Sequence, residues 1–112
     1  MSHIQIAPGA LNGEVSIPPS KSAVHRAILC AAMAQGVSTV APVALSKDIE
    51  ATIQCIQALG ADVCLCKQTL TIDGAGLFSK QDVLLDCEES GSTLRFLIPI
   101  AAAGGVLAHF TG

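Results

Sequence analysis

Apolar and polar positions repeat with two different periods along the chain, which is typical of a protein with both strands and helices. Stretches that alternate every second residue, or that are rich in β-branched residues, predict strands at 3–7, 13–18, 37–43, 61–66, 69–73, 82–87 and 106–111. Helical spacing of apolar residues predicts helices over 21–35, 46–59 and 90–103. The predicted order, β-β-α-β-α-β-β followed by β-α-β, is that of an α/β protein.

The three predicted helices differ in their apolar faces. The second has a clear amphipathic pattern and ends at Gly60, a standard C-terminal glycine position. Its apolar stripe consists of Ile49, Thr52, Ile53, Ile56 and Leu59. The first helix is apolar on every side after Arg26, which predicts that it is buried. Pro99 lies well inside the third helix and is expected to kink it.

One arrangement of elements occurs twice in the sequence. A strand, a serine-rich turn, a helix, a glycine and a second strand follow one another over 15–40 and again over 83–110. Ser20-x-Ser22 opens the first of these helices and Ser90-x-Ser92 opens the other. The repetition indicates an α/β domain built from repeated units, with the second unit incomplete within these 112 residues.

The start of the first helix carries candidate binding residues. Ser20 or Ser22 can cap the helix after two prolines that end the preceding strand. Lys21 and Arg26 put cations at the positive end of the helix dipole, which costs about 0.3–1 kcal/mol each unless an anion lies there. This pattern favours an anionic ligand, with solvated surface charges as the alternative. His25, on the face that also carries Lys21, is interpreted as a hydrogen-bonded structural histidine rather than a catalyst.

Composition and charge exclude several functions. The formal net charge is −3 and aromatic residues make up 3%, so the chain lacks the basic, aromatic surface of a nucleic-acid binder. The longest apolar run, 96–110, is shorter than the roughly 20 residues of a membrane span, and we expect neither a transmembrane helix nor a signal peptide. Hydrophobic residues reach 51%, which indicates that something outside this chain covers part of the apolar surface.

The cysteines indicate a reducing compartment. They are five, an odd number, and lie in apolar segments, which is typical of free, buried thiols in a cytoplasmic protein. Cys64 and Cys66 fall on one face of a predicted strand. Without a CxxC spacing or a histidine pair they do not predict a metal site.

Two segments carry a resemblance to a known family. The stretch 18–27, Pro-Pro-Ser-Lys-Ser-Ala-Val-His-Arg-Ala, resembles the opening signature of 5-enolpyruvylshikimate-3-phosphate synthase, also called 3-phosphoshikimate 1-carboxyvinyltransferase. The stretch 89–96, Glu-Ser-Gly-Ser-Thr-Leu-Arg-Phe, is similar to the second glycine-containing segment of that family, at about the family's spacing. The related transferase that acts on UDP-N-acetylglucosamine usually has Asn after the lysine, so Ser22 favours the shikimate branch.

The resemblance implies an enolpyruvyl transferase-like fold of two similar domains, each made of three βαβαββ units around buried parallel helices. Family members are several times longer than this chain. Residues 1–19 would then be strands that lead in from the other domain, and residues 20–112 would be the first part of the N-terminal domain, comprising one unit and part of a second. The active site would lie between the domains, with Lys21 at the hinge.

The resemblance also implies an activity. The enolpyruvyl group of phosphoenolpyruvate would move to the 5-hydroxyl of shikimate 3-phosphate with release of phosphate, without a metal or an organic cofactor. Lys21 would be catalytic and would contact both substrates. The substrate-binding residues that the resemblance implies are Lys21, Ser22, Arg26, Gly91, Ser92 and Arg95. Ser22 and Arg26 would hold shikimate 3-phosphate, and Gly91 and Ser92 would line the phosphoenolpyruvate side.

The family pattern and this sequence differ at one position. The commonest pattern has Asn where this chain has Glu89, whose carboxylate would repel an anion unless it pairs with Lys21 or Arg95. We therefore expect Glu89 to lie outside the site. The alternatives are a UDP-N-acetylglucosamine enolpyruvyl transferase and a non-catalytic domain for phospho-ligand binding or protein interaction. These 112 residues alone are not expected to catalyse, because the family's remaining charged residues are absent from them.

Overall fold

The computed structural model describes residues 2–112. Three helices are each 13 residues long: α1 (Lys21–Met33), α2 (Lys47–Leu59) and α3 (Gly91–Ala103). Five short strands accompany them: β1 (Val37–Val40), β2 (Asp62–Cys66), β3 (Thr69–Asp73), β4 (Asp82–Asp86) and β5 (Leu107–Thr111). The expected α/β class is confirmed, and the predicted helices and these five strands appear within a few residues of their expected bounds.

The first three strands form an antiparallel sheet in the order β1-β3-β2. β2 and β3, which match the strands predicted at 61–66 and 69–73, form a hairpin, and Lys67 at its turn has a φ of 56°. In the central strand, Leu70 and Ile72 are fully buried, while Thr69 and Thr71 alternate with them on the other face. The sheet therefore places one face against the helices and leaves the other in solvent.

The second copy of the repeat forms a parallel β-α-β unit. β4 and β5 pair in parallel with α3 as the connection, and Val83 and Leu85 of β4 point into the core. The helix continues through Pro99. This unit confirms the strand, helix, strand order that the sequence predicts for 83–110.

α2 lies at the centre of the molecule, in contact with α1, α3, β2 and β4. Its buried residues are Ile49, Ala51, Thr52, Cys55, Ile56 and Leu59, which include all of the predicted stripe except the half-buried Ile53. Gly60 ends α2 with a φ of +120°, and its amide donates to the carbonyl groups of Ile56 and Gln57. The amphipathic pattern of α2 thus organises the core.

The two strands expected before the first helix do not form. Residues 2–19 have no regular secondary structure, and Ile4, Ile6, Val15 and Ile17 are each at least 86% exposed. A strand needs a partner for its backbone groups, and no strand of the described chain pairs with this segment. The radius of gyration, 17.0 Å, exceeds the roughly 13 Å of a compact chain of this length. The first copy of the repeat is therefore present only as its helix and second strand.

The burial of α1 and of the cysteines also differs from expectation. α1 is covered on one side only, and Cys30 and Met33 on its other side are exposed. Cys64 and Cys66 share a face of β2, as predicted, but that face is the solvent side of the sheet. Apolar composition alone cannot distinguish a buried surface from one that this chain leaves open.

The remaining two thiols are expected to be chemically protected. Burial raises the pKa of the Cys55 thiol to about 12, with Cys87 beside it as a further cause, and burial also raises the pKa of Cys87. Because the thiolate is the reactive form, both should react with a thiol reagent at least about 100-fold more slowly than the three exposed cysteines. Timed labelling at pH 8 with mass analysis should give three fast and two slow sites, and five fast sites in denaturant. Five fast sites without denaturant would contradict the burial of this pair.

Candidate functional site

The three helix N-termini share one capping pattern. Ser20, Ser46 and Ser90 are the N-cap residues, and each side-chain oxygen accepts a hydrogen bond from the amide three residues later, at 3.3, 3.3 and 3.1 Å. Of the two serines considered for α1, the cap is Ser20. Each cap satisfies one amide and leaves others of the first turn without an intrahelical partner.

An ion pair joins the starts of α1 and α2. Lys21 Nζ lies 2.6 Å from Asp48 Oδ2, and the two side chains are 56% and 31% exposed. This hydrogen bond from Lys21 lowers the pKa of the Asp48 carboxyl below its usual value. The sequence does not indicate this role of Asp48, because its partner Lys21 lies 27 positions away. The pair places Lys21 next to the start of the second helix.

A buried chain of polar side chains continues from α1 to α3. Thr52 Oγ1 lies 2.9 Å from His25 Nδ1 and 2.7 Å from Thr93 Oγ1, and Thr93 Oγ1 donates to Ser90 Oγ at 2.6 Å. His25, Thr52, Thr93 and Ser90 are all at most 4% exposed. The hydrogen bond expected of a structural His25 is therefore present. This buried polar chain ends at Ser90, the N-cap of α3.

The sequence did not indicate that Thr52 and Thr93 belong to the site. Thr52 appeared there only as a member of the apolar stripe of α2, and Thr93 as part of the glycine-containing segment. Thr93 Oγ1 also lies 3.4 Å from the carbonyl oxygen of Asp48. A β-branched residue on a buried stripe can be a packing or a hydrogen-bonding residue, so only the fold reveals this role.

His25 is held in its neutral form. Burial lowers its pKa below the ordinary 6.5, and the ammonium of Lys21 acts in the same direction, while the Asp48 carboxylate opposes both. In the described chain its Nε2 atom is buried without a hydrogen-bond partner. A charged imidazole would need acceptors at both nitrogen atoms, so protonation disrupts this environment.

Stability should consequently fall as the pH drops through 6.5. The unfolded chain then binds a proton that the folded chain resists, so the free energy of unfolding decreases between about pH 6.5 and the lower folded pKa, by at most about 1.4 kcal/mol per pH unit. Asp48 acts in a separate window, because its lowered pKa contributes stability that is lost only below its ordinary value of 3.8. Urea unfolding between pH 7.0 and 5.0 measures the effect.

His25→Asn, which retains a group able to bond Thr52, should flatten this pH dependence. The matched control is His109→Asn on β5, an exposed position, which should keep it. A His25→Asn variant with the same decline as the unaltered chain would show that another group titrates.

The second predicted constellation borders a cavity. A cavity of about 560 Å³ lies at the start of α3 and the end of β4, and Gly91 lines it together with Ser90, Glu88 and Glu89. A Cβ atom at Gly91 would meet no atom within 4 Å, so the space beside it is open. Ser92 and Arg95 are exposed on α3 and do not line this cavity. Of the residues expected on the phosphoenolpyruvate side, only Gly91 faces it.

Two expectations about charges are corrected here. Glu89 was expected to lie outside the site, but it borders the cavity beside Gly91. It forms no ion pair with a residue of the 2–112 range, and the partner of Lys21 is Asp48. Lys21, Ser22 and Arg26, which were expected at a bound anionic substrate, are all exposed, and none lines the cavity beside α3. The cause is the one-sided burial of α1, whose first turn has its polar face in solvent.

Residues 2–112 were also compared with the requirements of a metal site and of a membrane-spanning helix. No group of three or more His, Cys, Asp and Glu side chains there is arranged to hold a metal ion. None of the helices in that part of the chain has the length and apolar character needed to cross a membrane.

Solved structures identify the class of protein. The chain is similar to "EPSP synthase from Acinetobacter baumannii", with a TM-score of 0.63 and 29% identity over 76% of this chain and 20% of that chain. A second structure of the enzyme from the same organism gives the same values. The α/β elements described above therefore form part of an enolpyruvyl transferase-like fold.

Sequence comparison identifies the family. Residues 6–112 match the model of EPSP synthase (3-phosphoshikimate 1-carboxyvinyltransferase), and the chain belongs to this family. It is 44% identical to the 3-phosphoshikimate 1-carboxyvinyltransferases of Clostridium beijerinckii and Clostridium kluyveri, with the whole of this chain aligned in both cases. The chain spans 27% and 26% of the lengths of these two relatives.

Proposed function

We propose that this chain supplies part of the active site of a 3-phosphoshikimate 1-carboxyvinyltransferase. The reaction transfers the enolpyruvyl group of phosphoenolpyruvate to the 5-hydroxyl of shikimate 3-phosphate and releases phosphate, as a step of aromatic amino acid biosynthesis in the cytoplasm. The observation that carries the proposal is the junction of α1, α2 and α3, where Lys21 pairs with Asp48 and the buried chain reaches Ser90.

Lys21 has the chemistry for contact with both substrates. An ammonium group has three N–H donors, and Asp48 takes one of them, which leaves two for anionic groups. Ser22 and Arg26 are exposed on the same helix, one turn apart, where an arginine can bind a phosphate with two parallel hydrogen bonds. In this proposal Ser22 and Arg26 hold shikimate 3-phosphate and Lys21 bridges it to phosphoenolpyruvate.

Gly91 and Ser92 form the phosphoenolpyruvate side in this proposal. They begin α3, so their backbone N–H groups have no intrahelical acceptor and can donate to an anion. The open space beside Gly91 admits a ligand close to the backbone. Arg95 follows one turn later as a further cation. The acids Glu88 and Glu89 border the same cavity and oppose an anion there, so binding requires Lys21 to contribute positive charge.

The domain arrangement is also a proposal. Residues 1–19 belong to a second domain and residues 20–112 begin the first, so the two substrates bind between this chain and further family sequence. The exposed, unpartnered segment up to residue 19 supports this division. Since the chain spans only about 27% of its relatives, we infer that it does not turn over substrates alone.

An NMR titration of the isotope-labelled chain with shikimate 3-phosphate tests the proposal. Binding should shift the amide signals of Lys21, Ser22 and Arg26, with smaller changes in the hairpin of β2 and β3. Inorganic sulfate at the same ionic strength serves as the control for non-specific anion effects. A folded chain with no shifts at millimolar shikimate 3-phosphate, or with shifts that sulfate reproduces, would count against the proposed site.

A further inference from the structure

The buried polar chain has a direction that the hydrogen-bond geometry determines. It has three links, from His25 to Thr52, from Thr52 to Thr93 and from Thr93 to Ser90, and each link needs one proton. A hydroxyl group has only one proton to donate. Because Thr93 donates to Ser90, the proton between the threonines has to come from Thr52.

This order fixes the state of the imidazole. With the Thr52 proton directed at Thr93, Thr52 can only accept from His25, so the proton of the neutral ring is on Nδ1. Nε2 is then the bare nitrogen atom, and it is the one buried without a hydrogen-bond partner among residues 2–112. A single tautomer at His25 is therefore the observable sign of an unbroken chain.

The buried polar chain connects all three helices that meet at the site. His25 is in the second turn of α1, one turn from Lys21; Thr52 is in the centre of the bundle on α2; and Ser90 caps α3 directly before Gly91. At 0% exposure Thr52 has no water to replace a lost partner, so the neighbours on both sides depend on its hydroxyl.

We propose that Thr52 is a positioning residue of the site, whose hydroxyl fixes the start of α1 relative to the start of α3 by holding His25 in its Nδ1–H tautomer. Its part in substrate binding rests on the function proposed above. The positioning itself concerns only residues of this chain and can be measured without a substrate. Because Thr52 is fully buried, the proposal assigns it no contact with a substrate and no catalytic role.

The test compares three variants of the 112-residue chain by NMR. Thr52→Val keeps the shape and removes the hydroxyl, Thr52→Ser restores the hydroxyl, and Ile56→Val removes one methyl group from the same buried face one turn later. Nitrogen-15 spectra of the histidine rings report the tautomer, and amide spectra report the positions of Ser22 and Gly91. The unaltered chain and Thr52→Ser should show Nδ1–H at His25, whereas Thr52→Val should lose the single tautomer.

Amide signals of Ser22 and Gly91 should shift in Thr52→Val and not in Ile56→Val. An Nε2–H tautomer in the unaltered chain, or equal shifts in both valine variants, would overturn the proposal. If Thr52→Val does not fold, Thr93→Ala interrupts the chain at its next link and should also release the tautomer. A fixed Nδ1–H tautomer in folded Thr93→Ala would likewise overturn it.

A second measurement separates this inference from the proposed function. Titration with shikimate 3-phosphate should show binding about fivefold weaker in Thr52→Val and restored in Thr52→Ser. If the unaltered chain binds no shikimate 3-phosphate, the proposed function fails while the tautomer and amide results still decide the positioning role. If it binds and Thr52→Val binds equally well, the role of Thr52 in the site is wrong.

Discussion

Lys21→Ala is expected to reduce the affinity of the chain for shikimate 3-phosphate by about ten- to a hundredfold. The side chain supplies the cation closest to the start of α1, and a hydrogen bond to a charged group contributes about 1.5–3 kcal/mol. In a protein that contains the remaining family sequence, the same change should nearly abolish turnover, because Lys21 is proposed to contact both substrates. Calorimetric titration measures the first effect and steady-state kinetics the second.

The loss should not arise from unfolding. Lys21 is 56% exposed and its ion pair with Asp48 lies at the surface, where such pairs contribute little to stability. Lys80→Ala, in the loop before β4, removes an exposed cation of the same kind outside the three helices and is the matched control. Near-normal turnover of the longer protein with Lys21→Ala would remove Lys21 from the mechanism.

Gly60→Ala should destabilise the fold by about 4 kcal/mol or more, out of the roughly 5–15 kcal/mol that a domain of this size has. Gly60 has a φ of +120°, which a residue with a side chain rarely adopts. Its Cβ atom would also collide with the carbonyl group of Gly76 and the hydroxyl of Ser79. The Gly76 carbonyl is part of the backbone and cannot move aside as the Ser79 side chain can, so the collision with Gly76 and the strained φ both remain.

Thermal unfolding of Gly60→Ala should show a midpoint lower by about 15 °C or more. Gly91→Ala is the control, because Gly91 starts α3 and its Cβ would meet no atom within 4 Å, so alanine there should be neutral or slightly stabilising. Equal midpoints for Gly60→Ala and the unaltered chain would mean that α2 ends differently from the structure described.

Most of the fold could be predicted from local patterns. α2 was recognised because its stripe and Gly60 are both determined within a few turns of chain, and the hairpin of β2 and β3 because its strands are separated by two residues. The segments 3–7 and 13–18 show the limit of this reasoning. Their alternation is typical of a strand, but a strand forms only with a partner, and residues 2–112 contain none for them.

The motifs identified residues of the site, but the sequence did not reveal how these residues are arranged in space. The family resemblance identified Lys21 and Gly91, and the two do lie at the starts of helices that are linked through α2. Asp48, Thr52 and Thr93 were missed because their contacts join positions 27 and 41 apart, which no local period records. Arg95 and Ser92 carry the motif, yet they do not line the cavity that Gly91 lines.

The exposed segment 2–19 has a further consequence for the behaviour of the chain in solution. Its alternating isoleucine and valine residues lie in water, and the outer strand β1 of the antiparallel sheet has one free edge. Unprotected edges and apolar extended segments are templates for intermolecular strand addition. The same residues that are proposed to belong to a second domain should therefore make this chain prone to self-association. Its colloidal stability should depend more on them than on the packing of its core.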